Sequence, residues 1–414
     1  MTGGSTARRS STATALGVAG LVILGLASAS AHAGGLAVGD QNAVSAATGG
    51  AGAARADDPG AAWHDPAALA DGGGWRVGLS LALARPSLEA RATDGSWATS
   101  TTSGWSTPPH LDASFAHDHW AAGLAVGVPF GGDITWPTMW AGSSQAIATN
   151  LMVIRTAPFV AYSLPGPGGG ALRFAVGLHV DAGRLQLERG LDFIDTQGDV
   201  RLDLTGHGLG ADASAYYQAR PELAFALTYR GRTHLTFTGP ANFTTPDAFS
   251  DKTPDQDAST KMTLPDVVTL GARWARGAIA VIGDVEYTRW SAHEQTVVAF
   301  TEPQTPTQTE IDQWHDTVAV RAGAEWTRAQ LTLRGGGYFD PTPVPAEHLV
   351  PTSPDASRLG LTAGASWRFA AGWAADVFGE RMWLLRRDTT STDTMPASYG
   401  GTAIIVGAGL RFTR

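Results

Sequence analysis

The sequence predicts an all-β protein, a transmembrane antiparallel β-barrel of about 14 strands with a small N-terminal helical hatch in its lumen. Three observations predict this fold. The chain begins with an apolar leader, residues from 75 onward alternate between apolar and polar, and the alternating stretches are joined by links of alternating length. The 51 glycines and 14 tryptophans, with only 16% charged residues, suit a barrel with tight turns and aromatic girdles.

Residues 1–33 have the layout of a secretion signal peptide. Two arginines form a basic start, residues 13–29 are apolar, and the small residues at 31–33 suit cleavage before Gly34. The apolar run is too short for a stable membrane helix, and no later stretch reaches the roughly 18 unbroken apolar residues that one requires. If the mature chain spans a membrane, it therefore does so with strands.

The composition of residues 34–70 predicts the hatch, a plug inside the barrel. Small residues predominate there, and the two segments Asp57-Asp58-Pro59 and Asp65-Pro66-Ala67 suit compact helical turns. Aspartate caps free backbone N–H groups, and proline is tolerated at the first helical position. No part of this segment alternates as a strand does, so the barrel itself is expected in residues 71–414.

The alternation from residue 75 onward gives each strand two different faces. Val318 and Val320 lie on one face of a strand, whereas Arg321 and Glu325 lie on the other. A basic side chain on the lipid face at mid-bilayer costs roughly 2–4 kcal/mol, whereas the lumen of a barrel is wet. A soluble sandwich would expose the same charges to water, so periodicity alone leaves both architectures open.

The links between strands favour the barrel, because short turns at one end and long loops at the other are typical of outer-membrane barrels. Short turns are expected at 117–119, 219–221, 276–277 and 370–371, and long links at 87–108, 129–148, 239–259, 340–357 and 387–398. The strand candidates are 75–85, 109–117, 119–128, 149–163, 171–187, 200–218, 222–238, 260–275, 278–299, 311–326, 329–339, 358–369, 372–386 and 399–412.

Charge and cysteine content exclude several classes of protein. The formal net charge is −9, and an acidic chain is a poor partner for nucleic acid, which is bound by neutralising its phosphates. The chain has no cysteine, so disulfides cannot stabilise it. Stability must come from a closed hydrogen-bonded network or a sizeable core. No cofactor is implied, and a monomer is expected.

A series of short motifs follows the predicted hatch and strands in order. They are Ala56-Asp57-Asp58, Asp65-Pro66-Ala67, Val128-Pro129-Phe130-Gly131, Thr228-Tyr229-Arg230, Leu264-Pro265-Asp266, Tyr287-Thr288-Arg289-Trp290-Ser291, Pro341-Thr342-Pro343-Val344-Pro345 and Pro354-Asp355. In this order they resemble the FadL/TodX family, the outer-membrane transporters of long-chain fatty acids and aromatic hydrocarbons. The resemblance covers nearly all of residues 34–414. Asp65 stands where the family has asparagine, which adds a carboxylate that must be paired or solvated.

The resemblance implies a barrel of 14 strands whose third strand is broken beside the hatch. In this chain the break would fall at Pro129, Phe130 and Gly131. The residues agree, because proline cannot donate a ladder hydrogen bond and the glycines that follow tolerate a bulge. The alternative is that Pro129 ends a strand before a loop. The implied function is passive uptake of fatty acids or aromatic hydrocarbons across a Gram-negative outer membrane, with release into the outer-membrane lipid near Pro129.

Arg189 and His315 are the candidate ligand-binding residues. A fatty acid needs an apolar tunnel with a cation near its carboxylate, because an unpaired buried charge is costly. The resemblance places both residues at basic positions of the family's ligand pocket. Arg189 could instead pair with Glu188 or Asp192 at a strand tip, and His315 could lie at the level of the aromatic girdle.

Two other functions compete with transport. An outer-membrane hydrolase would need a nucleophile, a base and an acid, but the chain has no G-x-S-x-G element and no histidine spacing that indicates a base. A structural or adhesive barrel would have no use for the hatch or for Pro129. His117 and His119 have the strand spacing of a metal site, although a turn explains them more simply, and no metal is expected. The protein is therefore predicted not to be an enzyme. Whether its substrate is a fatty acid or an aromatic hydrocarbon is left open by the sequence.

Overall fold

The computed structural model describes residues 34–39, 41–193, 196–392 and 394–414. The predicted signal peptide lies outside the described residues. Nineteen strand segments form one antiparallel sheet. They are β1 Gly72–Ala92, β2 Ala98–Ser100, β3 Pro109–Asp118, β4 Trp120–Thr135, β5 Ala148–Pro165, β6 Ala171–Phe193, β7 Thr196–Arg220, β8 Leu223–Arg230, β9 Thr233–Thr244, β10 Gln256–Leu264, β11 Val267–Arg276, β12 Ile279–Thr288, β13 Gln295–Phe300, β14 Gln308–Ile311, β15 Thr317–Arg328, β16 Leu331–Asp340, β17 Arg358–Ala370, β18 Trp373–Asp388 and β19 Ala397–Thr413.

The sheet closes into a ring. Strand β1 pairs with β19 from the Arg76–Thr413 pair to the Ala92–Ala397 pair, and its other edge pairs with β3. The short strand β2 is a hairpin on β1, and four wall strands are each built from two consecutive segments: β8 with β9, β10 with β11, β12 with β13, and β14 with β15. The ring therefore contains 14 strands, which confirms the barrel prediction and excludes the sandwich.

The interruptions correct the prediction of continuous strands at 222–238, 260–275, 278–299 and 311–326. Between β10 and β11, Pro265 has no N–H to donate to a ladder. Between β12 and β13, the single turn Trp290–Ala292 replaces the strand. Strands β9, β10, β13 and β14 lie on the extracellular side of these interruptions. They pair with one another, and β9 also pairs with β7.

The wall is apolar on its outer face and charged on its inner face, which is the reverse of a soluble protein. The outward side chains of Trp75, Leu79 and Val318 are 54%, 57% and 50% exposed, whereas Asp284 and Glu325 point inward and are buried. An apolar outer band and a charged interior are what a bilayer and a wet lumen require. The charges thus lie on the lumen side, as the alternation predicts for a barrel.

The turns follow the predicted pattern. Strands β3 and β4 are joined at Asp118, whose φ of 51° is the left-handed conformation of a tight turn. Equally short turns join β7 to β8, β11 to β12 and β17 to β18. At the other end the links are long, including residues 93–108, 136–147 and 341–357. His117 and His119 lie at the β3–β4 turn and are exposed.

Residues 34–39 and 41–70, called the N-terminal segment below, lie inside the ring. Their helical structure consists of three single turns: α1 Ala43–Ala46, α2 Ala61–His64 and the 3-10 turn Pro66–Leu69. Helix α1 contacts β17, β18, β19 and β1, whereas the 3-10 turn contacts β5, β6 and β7 on the other side. None of the helices in the described ranges is long and apolar enough to cross a membrane.

The described residues contain three further 3-10 turns. They are Pro167–Gly169 between β5 and β6, Asp247–Lys252 between β9 and β10, and Ala346–His348 between β16 and β17. The turns Asp247–Lys252 and Ala346–His348 lie in long links at the extracellular end.

Candidate ligand cavity and wall break

An apolar cavity of about 530 Å³ lies among the extracellular segments β6, β7, β9, β10, β13 and β14. Its volume is in the range of small-molecule sites. Because each buried methylene contributes about 0.8 kcal/mol, a long alkyl or aromatic molecule gains binding energy here. The apolar lining includes Leu36, Leu185, Leu187, Leu191, Phe193, Val200, Leu202, Phe243, Met262, Val298, Phe300 and Trp314.

Arg189 lines this cavity from β6. It is half-buried, and no carboxylate in the described part of the chain forms an ion pair with it. Its neighbour Glu188 pairs with Arg201 instead, at 3.1 Å. An arginine side chain remains cationic at neutral pH. The predicted alternative, an ion pair with Glu188 or Asp192, is not formed.

His315 does not line the cavity. Its side chain is exposed, and its backbone N–H donates to the carbonyl oxygen of Pro343 at 2.8 Å. In this structure His315 therefore lies outside the cavity, in the irregular link between β14 and β15, where no strand alternation determines the direction of a side chain. The histidine that lines the cavity is His293, whose ring packs on Trp314 at 4.4 Å between centroids.

Two carboxylates lie on the cavity wall near His293. Asp312 is buried, and its Oδ2 lies 3.2 Å from His293 Nε2 and accepts a hydrogen bond from the Thr296 hydroxyl at 2.9 Å. Glu310, on β14, contacts the Thr352 hydroxyl with both oxygens at 2.9 Å. Burial and the neighbouring Asp312 raise the pKa of Glu310 to about 7. This segment lies beyond the outward apolar band of β12 and β15.

The wall of the barrel is broken in β4. Pairing of β4 with β3 ends at Val126, and its register with β5 shifts between Gly127 and Phe130. The proline and the register shift are the features that the motif predicts. Residues 128–131 therefore lack their strand partner on the β3 side.

The N-terminal segment supplies the missing hydrogen bonds. Val38 N–H donates to the Pro129 carbonyl at 3.0 Å, and Gly131 N–H donates to the Leu36 carbonyl at 2.9 Å. The Gln41 side chain bonds both backbone groups of Val128, accepting from its N–H at 2.9 Å and donating to its carbonyl at 3.0 Å. This is β-augmentation within one chain, and it closes the break.

Charged wall residues hold the rest of the N-terminal segment. Asp284 accepts the backbone N–H groups of Gly52 and Ala53 at 2.8 and 3.0 Å. Arg55 forms a buried ion pair with Glu325. Because a buried charge without its partner is costly, these contacts favour one position of the segment in the lumen.

Asp65 caps the 3-10 turn, as its sequence context predicts. Its Oδ1 accepts the Ala67 N–H at 3.0 Å, and Pro66 occupies the first helical position. The Asp65 side chain is fully buried, and burial raises its pKa to about 7. Asp65 thus caps the turn as an asparagine would. Below about pH 7 its carboxyl is mostly protonated and, like an asparagine amide, carries no charge.

A hydroxyl, an imidazole and a carboxylate form a chain in the wall. His179 bonds Asp212 through Nδ1 at 2.9 Å and Thr233 through Nε2 at 2.8 Å. The same order of groups occurs in hydrolases. In the described part of the chain, both His179 and Thr233 are fully buried and line neither the apolar cavity nor the smaller cavity beside Asp212.

Fold and cavity together define a class: an outer-membrane β-barrel with an internal apolar cavity and a segment of its own chain in the lumen. Residues 24–413 match the family described as "Outer membrane protein transport protein (OMPP1/FadL/TodX)", and the protein belongs to this family. Family membership places it in the outer membrane of a Gram-negative bacterium.

Individual relatives are distant. The "Long-chain fatty acid transport protein" of Escherichia coli (strain K12) is 25% identical over 181 residues, which cover 41% of this chain and only 40% of the relative. A Pseudomonas aeruginosa FadL homologue of known structure has a TM-score of 0.79 at 17% identity, covering 91% of this chain and 99% of that one. The P. putida toluene transporter TodX gives 0.67 at 16% identity, with coverage of 91% and 99%. These structures show a shared fold.

Sequence reasoning missed Leu36, Gln41, His293 and Glu310. Leu36 and Gln41 carry no local signal, since their role depends on a wall strand about 90 residues away. The alternation of Glu310 with Thr309 and Ile311 could have indicated an inward side chain.

Proposed function

We propose that the protein takes hydrophobic molecules passively from outside the cell, holds them in the cavity and releases them sideways through the break at Pro129, Phe130 and Gly131. Fatty acids and aromatic hydrocarbons are the ligand classes of its relatives and both suit an apolar cavity. The protein acts as a monomer and without a cofactor, and the surrounding outer-membrane lipid receives the ligand.

One observation carries the proposal: Leu36 is shared by the cavity and the break. Its side chain lines the cavity, and its carbonyl accepts the N–H of Gly131 in the broken wall. A ligand that displaces Leu36 would therefore also remove a hydrogen bond that closes the wall. Filling the cavity and opening the exit are coupled through a single residue.

Binding energy requires a moving element. A hexadecyl chain that buries about 14 methylenes gains on the order of 11 kcal/mol, so a static cavity would retain its ligand. The first residues of the N-terminal segment are suited to move, because Leu36, Ala37, Val38 and Gly39 are only half-buried and form no helix. In this proposal the remainder of the segment, held by Asp284 and Glu325, plugs the lumen against polar solutes.

A reversible lock tests the proposal. A Cβ placed on Gly131 would lie 3.2 Å from Val38 Cγ2, which is close enough for cysteines at the two positions to form a disulfide. The chain has no cysteine of its own that could compete. We expect the double variant Val38→Cys with Gly131→Cys to lose uptake of labelled octylbenzene by cells when oxidised, because the first residues can no longer leave the break. Reduction should restore uptake.

The control is Val38→Cys alone, which cannot form the intramolecular bond and should transport in both redox states. Binding of octylbenzene by the purified, oxidised double variant should persist, which separates locking from misfolding. Uptake at the parent rate through the locked protein would show that the ligand leaves by another route.

A further inference from the structure

The cavity contains a hydrogen-bond acceptor that a hydrocarbon does not need and a fatty-acid anion does not fit. We propose that the cavity selects hydrophobic molecules that carry a hydroxyl group, alcohols and phenols, and that Glu310 accepts the hydroxyl hydrogen. The inference rests on the proposed function, because it specifies the substrate class of the same cavity.

Glu310 has unused acceptor capacity. Its carboxyl lines the cavity, and its only hydrogen-bond donor among the described residues is the Thr352 hydroxyl, 2.9 Å from each oxygen. A hydroxyl has one hydrogen, whereas a carboxylate offers about four lone-pair directions. A carboxylate in apolar surroundings with one donor is therefore undersatisfied, and a ligand hydroxyl would supply the missing hydrogen bond.

The other acids of the cavity wall have partners. Asp312 contacts His293 and Thr296, and Glu188 pairs with Arg201. Asp192 lies at the tip of the β6–β7 hairpin and is exposed. The deep acceptor left for a ligand is thus Glu310, which distinguishes this position from a general acidic patch.

A donor on the same cavity wall is also unused. Trp314 lines the cavity and is only 4% exposed, and within the described ranges its indole nitrogen has no hydrogen-bond partner. An indole N–H can only donate, and an ionised carboxyl can only accept. A hydroxyl group has both a hydrogen to donate to a carboxylate and lone pairs to accept from a donor such as an indole N–H. A hydrocarbon satisfies neither.

A fatty-acid anion fits this end of the cavity poorly. Its carboxylate has no hydrogen to donate to Glu310, and it would meet a second negative charge whenever Glu310 is ionised. Asp312 adds a further negative charge, partly offset by His293 when that ring is protonated. An anionic head group would have to bind at Arg189 on β6, apart from the hydroxyl site.

The test compares two ligands that differ by one hydroxyl, octylphenol and octylbenzene. Their affinities are measured with the purified full-length mature protein in lipid nanodiscs. We expect Glu310→Leu to weaken octylphenol binding about tenfold at pH 8.5, where the carboxyl is ionised and a hydrogen bond to a charged group is lost, and to leave octylbenzene binding within about twofold. Glu310→Gln, which keeps the side-chain volume and a neutral acceptor, should lie between the parent and Glu310→Leu.

The matched control is Glu294→Leu, the same substitution at an exposed position just before β13, which should change neither affinity. Equal losses for the two ligands in Glu310→Leu, or no loss of octylphenol binding in either Glu310 variant, would overturn the hydroxyl site while leaving transport untouched. Failure of the proposed function gives a different result, since the parent protein would then bind neither ligand in the nanodisc.

Discussion

Two parts of the barrel wall close in different ways. Strands β6 and β7 pair in unbroken register from Ala171 with Gln218 to Phe193 with Thr196, so this hairpin satisfies its own backbone groups. In β4, residues 128–131 have no partner on the β3 side and depend on hydrogen bonds from Leu36, Val38 and Gln41. The first wall is closed by its own ladder, and the second is closed only while the N-terminal segment is in place.

The difference separates two tasks. The self-sufficient hairpin contributes Arg189, Leu185 and Leu202 to the cavity and can hold them in a constant position. The conditional wall borders the proposed exit. Substitutions in the hairpin are therefore expected to change ligand affinity, whereas substitutions in the contacts at β4 are expected to change the rate of release.

The largest effect is expected for Gln41→Leu, which breaks the conditional wall. The substitution leaves the N–H and carbonyl of Val128 without their buried partners, which destabilises the closed state by about 2–3 kcal/mol. Release of preloaded octylbenzene from the protein in vesicles should accelerate more than tenfold, while equilibrium affinity for the closed cavity changes little. Stopped-flow tryptophan fluorescence measures the rate.

Gln197→Leu is the control for that measurement, because Gln197 is exposed on the hairpin and its amide lies 3.4 Å from Asp192. Its release rate should equal that of the parent. An unchanged rate in Gln41→Leu would mean that the side-chain bridge to Val128 does not restrain the exit.

A second, smaller effect sharpens the comparison from the side of the hairpin. Arg189→Ala should weaken binding of a fatty-acid anion several-fold to about tenfold and leave octylbenzene binding nearly unchanged, since only the carboxylate needs the guanidinium. Release of octylbenzene should keep its parent rate. Arg184→Ala, which removes an exposed arginine of β6 that pairs with Asp203 outside the cavity, is the matched control. Equal losses for both ligands would make Arg189 a structural residue.

The smallest effect concerns the anchored base of the N-terminal segment. Because burial raises the pKa of Asp65 to about 7, the folded protein retains this proton at pH values where the unfolded chain has lost it. The contribution of Asp65 to stability is therefore present near pH 4 and is lost as pH rises towards 7. The Asp65→Asn variant keeps the cap on Ala67 and has no such titration.

The thermal midpoint of the detergent-solubilised protein at pH 5 and pH 8 measures this effect. The parent should lose more stability than Asp65→Asn between these values, by up to about 1.4 kcal/mol for each unit of pKa shift. Asp118→Asn, at an exposed turn with positive φ, should behave as the parent does. Identical pH dependence in parent and Asp65→Asn would show that Asp65 titrates normally.

Much of the fold follows from local sequence. The outward positions of Trp75 and Val318 and the inward positions of Arg321 and Glu325 were predictable, because strand side chains alternate with period two wherever pairing continues. The short turns and the cap at Asp65 were predictable for the same reason, since turn and cap chemistry depends on neighbouring residues.

Prediction failed where pairing stops. In the link between β14 and β15, Trp314 lines the cavity and His315 is exposed, and no repeating pattern determines which of two adjacent residues points inward. The four interrupted strands were predicted as continuous because an apolar alternation can resume on the far side of a break.

The sequence by itself determined a β-barrel with a weak point in its hydrogen-bond ladder at Pro129, because strand parity, turns and a missing N–H donor are properties of short segments. Only the tertiary structure decided that Leu36 and Gln41 close that weak point and that Glu310 and Arg189 share one cavity. These contacts join residues that are far apart in the chain, and a hydrogen bond or an ion pair forms only after the ring has closed and brought its partners within reach.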